Sequence, residues 1–163
     1  MTTLVAELVE LARGEESDVV PREFRLDEVV QTAVDRAARR TPALSFRTLL
    51  EPSLVVGVPE RVERAVWNLL DNARKWNPAD EPVEVAVHDG LVEIRDHGPG
   101  IAAEDVSFVF NRFYRSRAAR GMPGAGLGLS IVKQIADAHG GSVSVDQAPD
   151  GGAVLRLRLL PIR

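Results

Sequence analysis

Two asparagines and a lysine share one face of a predicted helix. The helix is expected to begin at Pro59 and to end near Trp76, and because each helical residue advances by about 100°, Asn68, Asn72 and Lys75 fall within roughly 60° of one another. An amide oxygen suits Mg²⁺, which takes few protein ligands when phosphates and water supply the rest, and Lys75 would meet a phosphate as a point charge. A polar helix flank with incidental asparagines is the simpler interpretation while this helix is considered alone.

A carboxylate ends one of the predicted strands. Alternation along a strand predicted over 91–96 places Asp96 on the same apolar side as Ile94. Burying a carboxylate there is costly unless it accepts hydrogen bonds, and the exocyclic amino group of adenine is a suitable donor. Gly98 and Gly100 would allow a flat base to approach the backbone closely. A turn capped by the Asp96 side chain explains the same residues equally well.

A run of glycines leads directly into another predicted helix. Residues 124–130 read GAGLGLS, and the helix is expected to begin at Gly128 and to end near His139. Backbone amides at a helix N-terminus bind anions without any charged side chain, so phosphate is the natural ligand. The third glycine comes one place too early for a dinucleotide-binding fingerprint, and the absence of a Gly-Lys-Ser/Thr ending excludes the P-loop class.

An aromatic and basic segment lies between these motifs, at residues 108–115, which read FVFNRFYR. In a chain with few aromatic residues, this clustering predicts a docking loop. The arginines in and just after it would neutralise phosphate oxygens or the acidic surface of a partner, although an exposed basic loop without a special role is a serious alternative. These arginines are Arg112, Arg115, Arg117 and Arg120.

The elements that must position these groups are a mixture of helices and strands. The first helix of the domain is predicted from an apolar stripe between Leu26 and Ala37 that includes Val30 and Val34, with Asp27 among the side chains that face away. The order of elements predicts an α+β fold, a two-layer sandwich in which about three helices cover one face of a mixed, largely antiparallel sheet. Strands are predicted over 44–49, 54–58, 83–88, 91–96, 142–145 and 153–160, with a hairpin turn at Asp89-Gly90 and a long loop over 98–126.

The composition narrows the classes of function. A chain of 163 residues that is 45% hydrophobic can close one domain core. The absence of cysteine excludes disulfides and thiolate chemistry, and a net charge of -4 argues against a nucleic-acid partner. No apolar run is long enough to cross a bilayer, so no direct membrane contact is expected. The three histidines are too scattered for a zinc site, and His97 is expected to be solvated rather than to act as a base.

Four segments, taken in order, resemble the nucleotide-binding boxes of sensor histidine kinases. They read NLLDNARK at 68–75, DHGPG at 96–100, FNRFYR at 110–115 and GAGLGL at 124–129. The resemblance covers about residues 26–160. It implies the Bergerat-type α/β sandwich shared with gyrase, a class of heat-shock chaperones and mismatch-repair ATPases, with an ATP lid over about 98–126.

The resemblance assigns roles to individual residues. It implies that Asn72 is the magnesium ligand, that Lys75 contacts phosphate, that Asp96 anchors adenine and that Asn68 lines the phosphate site. Trp76 stands where a tyrosine or phenylalanine commonly follows the lysine, and its ring can still pack on the base. Catalytic contributions are implied for Asn68, Lys75, Arg112 and Arg115, and further nucleotide contacts for Gly98, Gly100, Ile101, Phe110, Phe113, Gly124, Gly126, Leu127, Gly128 and Leu129.

The resemblance also implies a reaction and its partners. Hydrolytic relatives place a glutamate one turn before the magnesium asparagine to activate water, whereas this chain has Asn68. That difference fits transfer of the γ-phosphate of ATP to a histidine, for relay to the aspartate of a response regulator. No histidine here has the context of a phosphoacceptor, so the acceptor is expected upstream. Residues 1–20 would then be the end of the dimerisation helix and a linker, and residues 21–163 the catalytic domain of a homodimeric membrane receptor, on its cytoplasmic side.

Two other functions use the same boxes. A hydrolytic clamp of the gyrase or chaperone kind would close a dimer on ATP, and Asn68 in place of a glutamate argues against it. A nucleotide-sensing module without catalysis would keep the boxes and lack phosphotransfer to histidine.

Overall fold

A single sandwich of helices on a sheet accounts for most of the chain. The computed structural model describes Val5, Leu8, Val9 and residues 19–114 and 127–162. Val5, Leu8 and Val9 are helical and exposed, and the other residues of the predicted N-terminal helix lie outside the described ranges. Between residues 19 and 162, the described parts contain three helices, which are α1 (Leu26–Arg40), α2 (Pro59–Trp76) and α3 (Gly128–Ala138).

The main sheet is mixed and largely antiparallel, as predicted. Its five strands lie in the order β2-β4-β5-β7-β6, and the pair β2–β4 is parallel while the other pairs are antiparallel. β1 and β3 form a separate antiparallel pair. The strands are β1 (Arg22–Arg25), β2 (Phe46–Leu50), β3 (Leu54–Gly57), β4 (Val83–His88), β5 (Leu91–Arg95), β6 (Ser142–Gln147) and β7 (Ala153–Arg158).

Alternation along the strands determines which face of the sheet the helices cover. In β4, Val83, Val85 and Val87 are buried, and Glu84 between them lies on the opposite face. The helices pack on the apolar face, with α2 between α1 and α3. The opposite face has ion pairs between neighbouring strands, including Arg156 with Glu93 at 2.9 Å. The β4–β5 hairpin turns at Asp89 and Gly90, both with positive φ (46° and 79°), as the Asp-Gly signal predicts.

The structure corrects two details of the sequence interpretation. β1 was not predicted, and the segment predicted as a strand over 54–58 pairs with it instead of joining the main sheet. Asp27 was predicted to face away from the core, yet only 8% of its surface is exposed, because its carboxylate bonds Arg25 and the backbone N–H of Ser53.

Candidate functional site

Asp96 lies directly after β5, on the buried face of the sheet, as its predicted alternation requires. Only 2% of its surface is exposed. Its Oδ1 accepts hydrogen bonds from the N–H of Gly98 at 2.8 Å and of Ala153 at 3.3 Å. The N–H of Asp96 in turn donates to the carbonyl of Ala153 at 3.1 Å, which continues the pairing of β5 with β7. Among the described residues no hydrogen bond reaches Oδ2, so half of the carboxylate is left to accept from a ligand.

The electrostatic environment of Asp96 disfavours its charge. Burial raises the pKa of this carboxyl above the usual value, and the amides of Gly98 and Ala153 offset only part of that rise. No side-chain cation bonds the carboxylate in the described ranges. A buried acid with a perturbed pKa and an unused acceptor atom is typical of a binding site rather than of a structural ion pair.

The turn after Asp96 rests against the C-terminal end of α2. The N–H of His97 donates to Oδ1 of Asn77 at 2.8 Å. Gly98 lies so close to Trp76 that a Cβ at this position would overlap the Trp76 carbonyl oxygen. The sequence interpretation of His97 as a solvated side chain is wrong, because its Nε2 lies 3.0 Å from Oε2 of Glu84 and 22% of the side chain is exposed. The turn is therefore held by both the helix and the sheet.

The predicted polar face of α2 is present. Asn68, Asn72 and Lys75 are half-buried along the helix, beside an apolar arc that is fully buried. The Nδ2 of Asn68 is buried and has no hydrogen-bond partner among the described residues, which is rare for a polar group in a folded protein. The ammonium of Lys75 lies 3.6 Å from Oδ2 of Asp71, one turn earlier. A ligand that accepts hydrogen bonds beside Asn68 would satisfy its unpartnered amide.

The N-terminus of α3 lies beside the same face. A Cβ at Gly128 would lie 3.6 Å from Oδ1 of Asn68, so the first residue of α3 is in contact range of that side chain. No side chain from the described parts of the chain caps this helix end, and the first N–H groups of a helix have no partner within it. Leu127 is completely buried and Leu129 packs partly against the core, which fixes the helix start. Gly124 and Gly126 lie outside the described residues.

The described first part of the predicted lid, residues 98–114, contains consecutive turns over 103–113. The N–H of Val109 donates to the carbonyl of Asp105 at 3.1 Å, which closes one turn of helical type. Ile101 and Phe110 are half-buried against the core, whereas 56% of Phe113 is exposed and its φ is +64°. The structure thus brings Phe110 toward the core and leaves Phe113 at the surface. Arg112 is exposed, and Arg115, Arg117 and Arg120 lie outside the described residues.

Three predicted motifs are therefore gathered along α2. Asn68 lies beside the start of α3, and Trp76, at the other end of the helix, lies beside the Asp96 turn. Sequence reasoning missed Asn77, Gly152 and Ala153, which hold this turn in place. A Pro following Asn77 and a Gly-Gly pair before β7 are the signals that mark them, but neither indicates which segment they contact.

Comparisons with known proteins give one consistent family. Residues 57–163 match the family described as histidine kinase-, DNA gyrase B-, and HSP90-like ATPase. The signal transduction histidine-protein kinase/phosphatase MprB of Mycolicibacterium vanbaalenii is 41% identical over 158 residues, which are 93% of this chain and 32% of that protein. MprB of Mycobacterium sp. strain KMS is 44% identical, with 93% and 30% covered. This chain spans about a third of the length of these curated relatives.

Solved structures give the same result. The mycobacterial sensor histidine kinase MprB is 37% identical with a TM-score of 0.75, over 88% of this chain and all of that one. The ATP-binding domain of PrrB from Mycobacterium tuberculosis is 27% identical with a TM-score of 0.70, over 89% of this chain and all of that one.

Proposed function

This chain belongs to the histidine kinase-, DNA gyrase B- and HSP90-like ATPases, as the ATP-binding domain of a sensor histidine kinase, and from that premise we propose that it transfers the γ-phosphate of ATP to a histidine. The acceptor would lie on a helical domain outside residues 1–163. The observation that carries the proposal is the buried carboxylate of Asp96, which, among the described residues, has one acceptor atom unused and no hydrogen bond from a cationic side chain.

The base of ATP would bind at the Asp96 end of the site. The exocyclic amino group of adenine donates a hydrogen bond, and Oδ2 of Asp96 is the acceptor that remains for it. Gly98 and Gly100 would shape the pocket, and Trp76 would pack on the base. Ile101 and Phe110, which follow Asp96 in the sequence and are half-buried against the core, would supply apolar contacts to the base. Phe113 would join them when the lid covers the nucleotide.

The triphosphate would lie along α2 toward α3. The amide of Asn68 and the N-terminal N–H groups of α3, from Gly128 onward, offer donors to phosphate oxygens. Lys75 would exchange its contact with Asp71 for a phosphate. Other contacts are proposed for Arg112 and Arg115 and for the glycine run Gly124, Gly126, Leu127, Gly128 and Leu129.

Mg²⁺ fits the residues present on α2. The amide of Asn72 is half-buried and makes no hydrogen bond with the described residues, so its oxygen is available as a hard ligand, and phosphates and water would supply the rest. When bound, the ion would neutralise charge on the phosphates. Asn72 would hold it, while Asn68 and Lys75 orient the transferred group.

Phosphotransfer, rather than hydrolysis, suits the side chain at position 68. An amide cannot remove a proton from water, and a neutral imidazole is already a nucleophile that needs no base. In the proposed step an imidazole nitrogen forms a bond to the γ-phosphorus as the bond to the bridging oxygen breaks, ADP leaves and the imidazole proton passes to solvent. The domain's contribution is positioning and charge neutralisation.

The proposed partners follow from this reaction. They are the dimerisation and histidine phosphotransfer domain of the same protein, reached through residues 1–20, and the receiver domain of a response regulator. The whole protein would be a homodimeric receptor in a membrane, with residues 21–163 on its cytoplasmic side. Within the described residues, no helix has both the length and the hydropathy that crossing a bilayer requires.

The test is phosphotransfer to the histidine-bearing helical domain. Full-length protein incubated with labelled ATP and Mg²⁺ should form an acid-labile, base-stable phosphoprotein. Asn72→Ala should remove the magnesium-dependent transfer while sparing most of the affinity for ADP measured without magnesium. Gln31→Ala, an exposed amide on α1, is the matched control and should behave as wild type.

Other outcomes would overturn the proposal. Steady release of phosphate without a labelled acceptor would support a hydrolytic clamp. Nucleotide binding without either activity would support a sensing module. Full magnesium-dependent transfer by Asn72→Ala would remove the metal assignment alone.

A further inference from the structure

We infer that Asn77 is a positioning residue that sets the spacing between the base end and the phosphate end of the nucleotide site. The inference rests on the proposed function, because it concerns how the Asp96 turn is held relative to α2. Asn77 follows Trp76 at the C-terminus of α2, and none of the four nucleotide-binding segments includes it.

The Asn77 amide joins three segments of the chain. Its Oδ1 accepts a hydrogen bond from the N–H of His97 at 2.8 Å. Its Nδ2 donates to the carbonyls of Pro78 at 2.9 Å and of Glu81 at 2.6 Å. Its own backbone N–H closes the last turn of α2 by donating to the carbonyl of Ala73 at 2.9 Å. The side chain is therefore fixed at both ends, and its position follows the end of the helix.

The bond to His97 reaches the middle of the base-binding turn. His97 lies between Asp96 and Gly98, whose N–H bonds the Asp96 carboxylate. The other hydrogen bonds of this turn to distant segments lead to the sheet, through Ala153 in β7 and through Glu84 in β4. In the described parts of the chain, Asn77 alone supplies a side-chain hydrogen bond between this turn and the end of α2.

The two ends of the site consequently depend on different structures. Asp96 is held by β7 whether or not Asn77 is present, so the affinity for the base should survive its loss. Asn68, Asn72 and Lys75 are held by α2. The end of α2 meets the turn through the Asn77 hydrogen bond and through the contact of Trp76 with Gly98, and of these two only the hydrogen bond depends on the Asn77 side chain. Because transfer requires the γ-phosphate in a narrow range of positions, loss of this register should lower kcat much more than it lowers the affinity for ADP.

Two substitutions of Asn77 separate this role from a general structural one. Asn77→Ala removes both the acceptor for His97 and the donors to Pro78 and Glu81. Asn77→Asp keeps an acceptor for His97 and loses the same donors. The difference between the variants therefore measures the bond to His97, and Gln31→Ala controls for loss of an exposed amide.

The experiment uses the full-length protein. For each variant we would measure kcat and KM for phosphorylation of its own histidine, the affinity for ADP by calorimetry, and the melting temperature. Asn77→Ala is expected to lower kcat about tenfold, with ADP affinity within about threefold of wild type, and Asn77→Asp should recover most of kcat. The inference is overturned if kcat of Asn77→Ala stays within about twofold, if both variants lose kcat equally, or if ADP affinity falls as far as kcat. A wild-type protein that neither binds ADP nor transfers phosphate would refute the proposed function itself.

Discussion

The two aspartates that are buried among the described residues lie in opposite environments. Asp27, in the first turn of α1, bonds Arg25 through both oxygens, at 2.8 and 2.5 Å, and accepts a third bond from the N–H of Ser53 at 3.0 Å. The hydrogen bond from Arg25 lowers the pKa of the Asp27 carboxyl. Asp96, after β5, bonds only backbone amides and through one oxygen, and burial raises its pKa.

This difference separates an acid whose partners are structural from the acid that we propose binds adenine. Both carboxylates are largely withdrawn from water, so burial alone does not identify a site. Asp27 bonds a cation, and hydrogen bonds reach both of its oxygens. Asp96 has no hydrogen bond from a cationic side chain and no partner for Oδ2 among the described residues. We propose that a donor such as the adenine amino group supplies the missing partner.

Of the substitutions considered, Asp96→Asn should have the largest effect, which is a loss of affinity for the nucleotide. The asparagine oxygen can keep both bonds from Gly98 and Ala153, so the fold should persist. The other atom becomes an NH₂ donor that faces the donor of adenine. Losing a charged hydrogen bond worth roughly 1.5–3 kcal/mol, with an added donor–donor clash, should weaken ADP binding about 100-fold by calorimetry. Asp27→Asn should keep near wild-type affinity, and equal losses in the two variants would remove the distinction.

Gly152→Ala should have the next largest effect, because it disturbs the backbone that supports Asp96. Gly152 has φ +86°, and a Cβ there would overlap the carbonyl oxygen of Asp96. Gly151 has φ +101° with nothing within 4 Å of a Cβ, so Gly151→Ala is the matched control. Both variants share backbone strain of roughly 1–3 kcal/mol. Denaturant unfolding and ADP calorimetry should give the larger loss for Gly152→Ala in both measurements, and similar losses would contradict a role in shaping the Asp96 site.

Asp27→Ala should lower stability without changing the nucleotide site. It leaves the N–H of Ser53 without its acceptor in a buried position, which costs roughly 1–3 kcal/mol, and removes the partner of Arg25. Denaturant unfolding should detect this loss, while ADP affinity of the folded protein stays unchanged. Asp35→Ala, on the exposed side of the same helix, should change the free energy of unfolding by less than about 0.5 kcal/mol. A loss of ADP affinity in Asp27→Ala would make both aspartates part of one site.

The sequence predicted the elements whose patterns are local. α2 has the predicted bounds, because Pro59 begins a continuous apolar arc, and the β4–β5 hairpin follows from Asp89-Gly90. The position of Asp96 was predictable from strand alternation. The burial of Asp27 could not be predicted in this way. A helical wheel does not include Arg25, which precedes the helix, or the loop at Ser53, and both donate hydrogen bonds to the buried carboxylate.

The attachments of the site depend on distant parts of the chain. The sequence predicts a solvated His97 because it does not show the partner, Glu84, which lies on a neighbouring strand. The register of the two strands decides whether these side chains meet. The bond between Asn77 and His97 joins residues that are 20 positions apart. The unpartnered amide of Asn68 becomes apparent only when α3 is packed beside α2. These contacts come from tertiary packing, which periodicity and turn signals do not contain.

The smallest expected effect is a difference in the sign of the pH dependence of stability. A carboxyl whose pKa is raised by folding binds a proton more readily in the folded state. The free-energy cost of burying ionised Asp96 is therefore fully present above its folded pKa. This cost is relieved as pH falls through the folded pKa. Asp27 has a lowered folded pKa, so its stabilising contribution is present above the unfolded pKa and is lost as pH falls through the folded one.

Comparing wild type with Asp96→Asn and Asp27→Asn isolates the two contributions, because all other titrating groups are shared. Denaturant unfolding between about pH 3 and pH 7 gives the free energy of unfolding of each protein. Relative to wild type, Asp96→Asn should gain stability as pH rises through a window above the usual aspartate pKa. Asp27→Asn should show a deficit at neutral pH that shrinks on acidification below that usual value. If the difference in free energy of unfolding from wild type changed with pH in the same direction for both variants, the two aspartates would lie in similar environments. The contrast between the hydrogen-bonded carboxylate of Asp27 and the carboxylate of Asp96 with an unused oxygen would then be wrong.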